Sequence, residues 1–182
     1  MTTHPGATLE HGKLKVEKTK LDGVFLIHPP TQFSDFRGQY VETYNRALYH
    51  AAGITDDFIQ DDASLTKKHV LRGIHGDNVT TKMISCLVGE IYVVVVNNDP
   101  ASKQYRQWTH FTLSESNNLQ VYIPPKFGNS FVVLSEVALF HYKQTTAYNR
   151  EGQFSLVWND PSLNIKWPIE HPILSVRDGG KT

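Results

Sequence analysis

Short runs of β-branched and aromatic residues, separated by turn residues, repeat along the chain from Val24 onward. The first run spans residues 24–28 and stops at Pro29 and Pro30. Residues 38–44 place Tyr40, Glu42 and Tyr44 at every second position, the period of a strand. Residues 58–60, 70–74, 82–87, 91–97, 108–113, 119–123, 130–134, 138–142 and 154–158 also read as strands. Residues 45–52 form the one convincing helical segment. Gly89 and Glu90 stand between two strand runs, as a tight hairpin connection requires. The segments 97–100 and 124–128, rich in Asn, Asp, Pro and Gly, read as turns. Many short strands with little helix predict an all-β fold, a sandwich or barrel with a jelly roll among the choices.

Composition narrows the function classes. At 182 residues with 40% hydrophobic and 20% charged positions, the chain is long enough for one packed domain and short for two. The expected division is a flexible arm over 1–12 and a single domain over 13–182. Lys plus Arg and Asp plus Glu both number 18. That balance gives no basis for general binding to nucleic acid or an anionic membrane, but leaves room for a local basic pocket. Cys86 is the sole cysteine, so no intrachain disulfide forms; it reads as a buried core thiol in a reducing compartment. Residues 1–10 lack the apolar core of a secretory signal, and the apolar run 91–96 is too short to cross a bilayer. The expected location is the cytoplasm.

Chemistry concentrates in Val70-Leu71-Arg72-Gly73-Ile74-His75-Gly76-Asp77. Strict alternation puts Arg72 and Ile74 on one face and His75 where the strand yields to Gly76. Such a pair could bind a phosphate and move a proton; taken alone, it reads more readily as a surface arginine and a structural histidine.

Leu71-Arg72-Gly73-Ile74-His75 resembles the signature of the dTDP-4-dehydrorhamnose 3,5-epimerase family, which uses a cupin jelly roll. Phe33-Ser34-Asp35-Phe36-Arg37-Gly38, Phe58-Ile59-Gln60-Asp61-Asp62, Tyr142-Lys143, Trp158-Asn159-Asp160, Trp167-Pro168 and Leu174-Ser175 with Asp178 follow in the family's order. The resemblance implies proton transfer at carbons flanking the ketone of a nucleotide-diphospho-4-keto-6-deoxy sugar, without a metal or organic cofactor. It implies His75 as base, Asp178 as the carboxylate orienting it, Lys82 as enolate stabiliser and Tyr142 as the proton carrier on the far face. It further implies nucleotide or diphosphate contacts from Arg37, Glu42, Gln60, Asp62 and Arg72, with Phe33 against the base or in a dimer. Some of these contacts cross between exchanged strands, so a homodimer is implied.

The chain also departs from the family pattern. Asn129 replaces a common histidine within the substrate site, Val93 and Asn97 replace carboxylates, and Asp62 replaces asparagine. These departures resemble a branch acting on 4-keto-6-deoxy heptoses of bacterial surface polysaccharides, which includes GDP-sugar enzymes. The nucleotide therefore stands open among dTDP, GDP and CDP. An ordinary cupin metal site needs more imidazoles than His75-Gly76-Asp77 and Asn129 supply. The missing second histidine at Asp77 also weighs against the related sugar 3,4-ketoisomerases. A sugar-nucleotide-binding cupin without turnover is the non-enzyme alternative.

Overall fold

The computed structural model describes residues 14–30 and 32–179; the arm expected over 1–12 lies outside them. Thirteen strands form among these residues: β1 (Lys15–Lys18), β2 (Phe25–His28), β3 (Gln32–Asp35), β4 (Gly38–Val41), β5 (Gln60–Lys67), β6 (Leu71–Gly76), β7 (Lys82–Val88), β8 (Glu90–Asn97), β9 (Trp108–Ser114), β10 (Gln120–Ile123), β11 (Phe127–Val133), β12 (Val137–Gln144) and β13 (Phe154–Ser155). One helix, α1 (Arg46–Ala51), and a 3-10 turn (Val176–Asp178) complete the described elements. The helix begins where Asn45 accepts a hydrogen bond from the Leu48 amide, the usual N-cap arrangement.

The strands build a six-stranded sheet, β1-β2-β10-β7-β12-β5, and a five-stranded sheet, β13-β6-β11-β8-β9, packed as a jelly-roll sandwich. Their inner faces interlock through Ile84, Val93, Val95, Val121, Phe131 and Phe140. The continuous valine run of β8 is buried on both sides. Val93 and Val95 face the inter-sheet core, while Val94 and Val96 pack beneath Leu163. The Cys86 thiol is buried as expected, and burial pushes its pKa up to about 12. Tyr49 of α1 is buried with Ile27 and Met83 on the outer side of the first sheet and donates to Gln120 Oε1 at 2.7 Å.

Gly89 does not close the expected hairpin. β7 pairs with β10 and β12, whereas β8 pairs with β9 and β11. The glycine instead carries the chain from one sheet to the other. Its φ is +77°, and an added Cβ would stand 2.1 Å from the Val137 carbonyl oxygen, so only glycine fits. A hairpin and a sheet-to-sheet corner ask for the same residue, which makes the sequence signal ambiguous. β5 extends to Lys67, well beyond the expected 58–60. Its alternate residues Gln60, Asp62, Ser64 and Thr66 are polar, so no apolar alternation marks the strand. β1 and β3 carry too few apolar residues to stand out.

Candidate active site

A cavity of about 500 Å³ opens between the two sheets. β6 and β11 supply one wall through His75 and Asn129; β7 and β12 supply another through Lys82 and Tyr142.

The expected pairing of Arg72 with Ile74 on one face is overturned. Asn129 pairs with His75 and Phe131 with Arg72, so a two-residue step on β11 matches a three-residue step on β6. This bulge resets the alternation. Arg72 and His75 both line the cavity, and Ile74 is buried against Val94, Val96 and Leu163 on the other side of the sheet.

The C-terminal segment then reaches His75. Ile173 forms a parallel bridge with Val70, its amide donates to the His69 carbonyl at 2.8 Å, and its carbonyl accepts from the Leu71 amide at 2.9 Å. Asp178 is thereby brought to His75, with Oδ1 2.7 Å from Nε2. The carboxylate side chain is 5% exposed and the imidazole 21%. Burial works to raise the Asp178 pKa, but hydrogen bonds from His75 and Ser175, the His75 charge and the Gly73 amide outweigh it and hold the group below its ordinary value. A carboxylate-bound ring nitrogen carries the proton, which leaves the other nitrogen with the lone pair a base requires.

Lys82 is 8% exposed, and its Nζ donates to Asn129 Oδ1 at 3.4 Å. Burial lowers its pKa; Asp77 opposes that shift and Arg177 adds to it. Tyr142 stands on the neighbouring strand, where burial and the nearby Asp62 carboxylate push its pKa up to about 12. Its ring lies 5.4 Å from Phe140, which stacks on Phe131 at 4.3 Å. These rings form an apolar surface within the cavity.

The remaining expected residues divide. Arg72 lines the cavity, with Nε donating to Thr66 Oγ1 at 3.2 Å. Gln60 and Asp62 support the wall. Asp62 accepts from Gln60 and from Gln144, while Gln60 Oε1 accepts from the Tyr148 amide. Phe33, Arg37 and Glu42 do not line this chain's cavity. Phe33 packs near Tyr40 within the β3–β4 hairpin, Arg37 pairs with Asp35 at its turn, and Glu42 follows directly after β4. Two cavity arginines, Arg150 and Arg177, escape the sequence reading. Arg150 lies in a polar turn with no period to mark it; Arg177 has the signal of standing beside Asp178. With Arg72 and Lys82 they face a single lining carboxylate among the described residues, Asp178, so a chain of zero net charge holds a basic cavity. Asp77 accepts from the amides of Val79 and Thr80 and caps its own loop. Among the described residues, no three His, Cys, Asp or Glu side chains gather as a metal-binding group.

The family model for dTDP-4-dehydrorhamnose 3,5-epimerase matches residues 18–182. The enzyme of that name from Salmonella typhimurium is 39% identical over 168 residues, covering 90% of this chain and 91% of its own. The solved dTDP-6-deoxy-D-glucose-3,5-epimerase of Legionella pneumophila, in complex with dTDP-4-keto-L-rhamnose, superposes with a TM-score of 0.86 at 36% identity, covering 91% of this chain and 90% of that one. A 3'-monoepimerase from Streptomyces bikiniensis, in complex with dTDP-quinovose, gives a TM-score of 0.82 at 26% identity, covering 90% and 84%.

Proposed function

The chain belongs to the dTDP-4-dehydrorhamnose 3,5-epimerase family, and from that premise we propose that it epimerises a dTDP-linked 4-keto-6-deoxy sugar through an enolate. The ketone at carbon 4 acidifies the hydrogens at carbons 3 and 5. His75 removes one, and Asp178 stabilises the imidazolium that results. The enolate oxygen gains its stabilising charge from the Lys82 ammonium. Tyr142, rooted in the other sheet, returns a proton to the opposite face. The carrying observation is the His75–Asp178 dyad set across the inter-sheet cavity from Lys82 and Tyr142. Arg72, Arg150 and Arg177 offer the positive charge a diphosphate requires. Use of Asp77 as a loop cap favours this reading over ketoisomerisation.

The enzyme works as a cytoplasmic homodimer in this proposal. Among the described residues, the β3–β4 hairpin pairs with no other strand of its own chain and exposes Phe36 almost fully. Docked on a second copy, it would bring Phe33, Arg37 and Glu42 towards the partner's nucleotide.

The test is deuterium incorporation from heavy water into dTDP-, GDP- and CDP-linked 4-keto-6-deoxy sugars. Exchange with the dTDP compound, lost by about 100-fold or more in His75→Asn while dTDP binding persists, is the expected result. Exchange at carbon 3 alone marks a mono-epimerase, and exchange at both carbons a double one. Binding without exchange in the native protein makes it a non-catalytic binder; undiminished exchange in His75→Asn removes that residue as base.

A further inference from the structure

Ser175 carries no role in the mechanism above, yet its hydroxyl makes two contacts with Asp178. It accepts from the Asp178 amide at 3.3 Å and donates to Asp178 Oδ2 at 2.8 Å. The first contact caps the 3-10 turn. Capping alone needs only the oxygen as acceptor. The second contact is separate, and it occupies the carboxylate oxygen that does not face His75. Each Asp178 oxygen thus has its own partner: Oδ1 has His75 and Oδ2 has Ser175.

We propose that Ser175 is a positioning residue of the proton-abstracting dyad, fixing the Asp178 carboxylate and thereby setting how firmly His75 holds its proton. This inference rests on the reading of His75 as the base. Arg72, Lys82, Arg150, Arg177, Tyr142 and Tyr148 line the same cavity, and Asp178 is the sole lining carboxylate among the described residues. A change in the hydrogen bonding of that one carboxylate therefore has no second lining anion to mask it. Removing the Ser175 hydroxyl concentrates the negative charge on the bond to His75. The imidazolium gains stability, and His75 stays protonated, hence inactive as a base, to higher pH.

Carbon-3 exchange should be followed across pH at saturating dTDP-linked 4-keto-6-deoxy sugar for the native protein, Ser175→Ala, Ser175→Gly and Ser175→Thr. Glycine preserves helix-start geometry better than alanine, so it separates loss of the hydroxyl from loss of the cap. In both Ala and Gly variants the acid limb should move up by about 0.3–0.5 pH units, with about two- to threefold less exchange below it and an unchanged plateau. Thr should restore the native profile. An acid limb that stays in place in Ala and Gly, even with a uniformly lower rate, overturns the proposal and leaves Ser175 a cap. Absence of exchange in the native protein overturns the epimerase reading itself, and the dyad with it.

Discussion

In the proposed mechanism Lys82 sets function against stability within one side chain. Its ammonium is enclosed, with Asn129 Oδ1 as its hydrogen-bond acceptor. The folded chain gives up this proton at lower pH than the ordinary 10.5, so between the lowered value and 10.5 the unfolded state binds more protons. Stability from this group therefore rises with pH through that window. Replacing the charge by an apolar chain of similar length should remove the burial cost. Lys82→Met is expected to gain on the order of 1 kcal/mol in urea unfolding near neutral pH. The same variant should lose exchange by about 100-fold or more, because the proposed enolate oxygen is left without its ammonium partner. Rising pH should weaken exchange at Lys82 before Tyr142, whose pKa lies at about 12. Asn129→Leu removes the carbonyl acceptor and should move this alkaline limb down; Asn129→Asp should move it up. Lys82 is legible in the sequence as a cation beside Met83 and Ile84. Asp178 is legible only through the family resemblance, because a carboxylate near the end of a polar segment looks solvated until the fold brings it to His75.

The β6 bulge shows why strand recognition and side-chain aim are separate problems. The run 70–74 correctly announces a strand, but counting by twos misdirects Ile74 and separates Arg72 from His75. An extra residue in one strand leaves no mark in the apolar pattern. The physical signature is Gly73, at φ +105°, where an added Cβ would stand 2.6 Å from the Asn129 carbonyl oxygen. Gly73→Ala should cost about 2 kcal/mol or more in denaturant unfolding. Any folded fraction should show reduced exchange, since relief of that contact shifts β6 against β11 and carries His75 with it. The core strands are legible because their inner residues are apolar; β5 is obscured because its polar residues support the cavity wall.

At the scale of the whole molecule, the β3–β4 hairpin is, among the described residues, the one sheet that joins neither layer of the sandwich, and the proposed dimer gives it a role. Arg37→Ala should raise the KM for the nucleotide sugar with little change in unfolding, as its pairing with Asp35 is largely exposed. Mixing Arg37→Ala and His75→Asn subunits, then allowing exchange, should restore activity above that of either variant. A heterodimer in which the hairpin serves its partner has one site free of both substitutions. Failure to recover activity, with mixed dimers verified by mass spectrometry, would place Arg37 outside the neighbouring site. The balanced composition conceals the cavity's positive charge, because its contributors come from β6, β7 and two distant loops. His75 and its carboxylate are themselves separated by 103 positions. Every sandwich strand precedes Asp178 in the chain, so both sheets are specified without the carboxylate that pairs with His75. A protease cut at the exposed Val176 would sever Asp178 from the Ile173 bridge that holds its segment against Val70, and would leave both sheets intact. Activity is consequently a sensitive gauge of chain integrity, one that would register such a nick while the sheets still hold together.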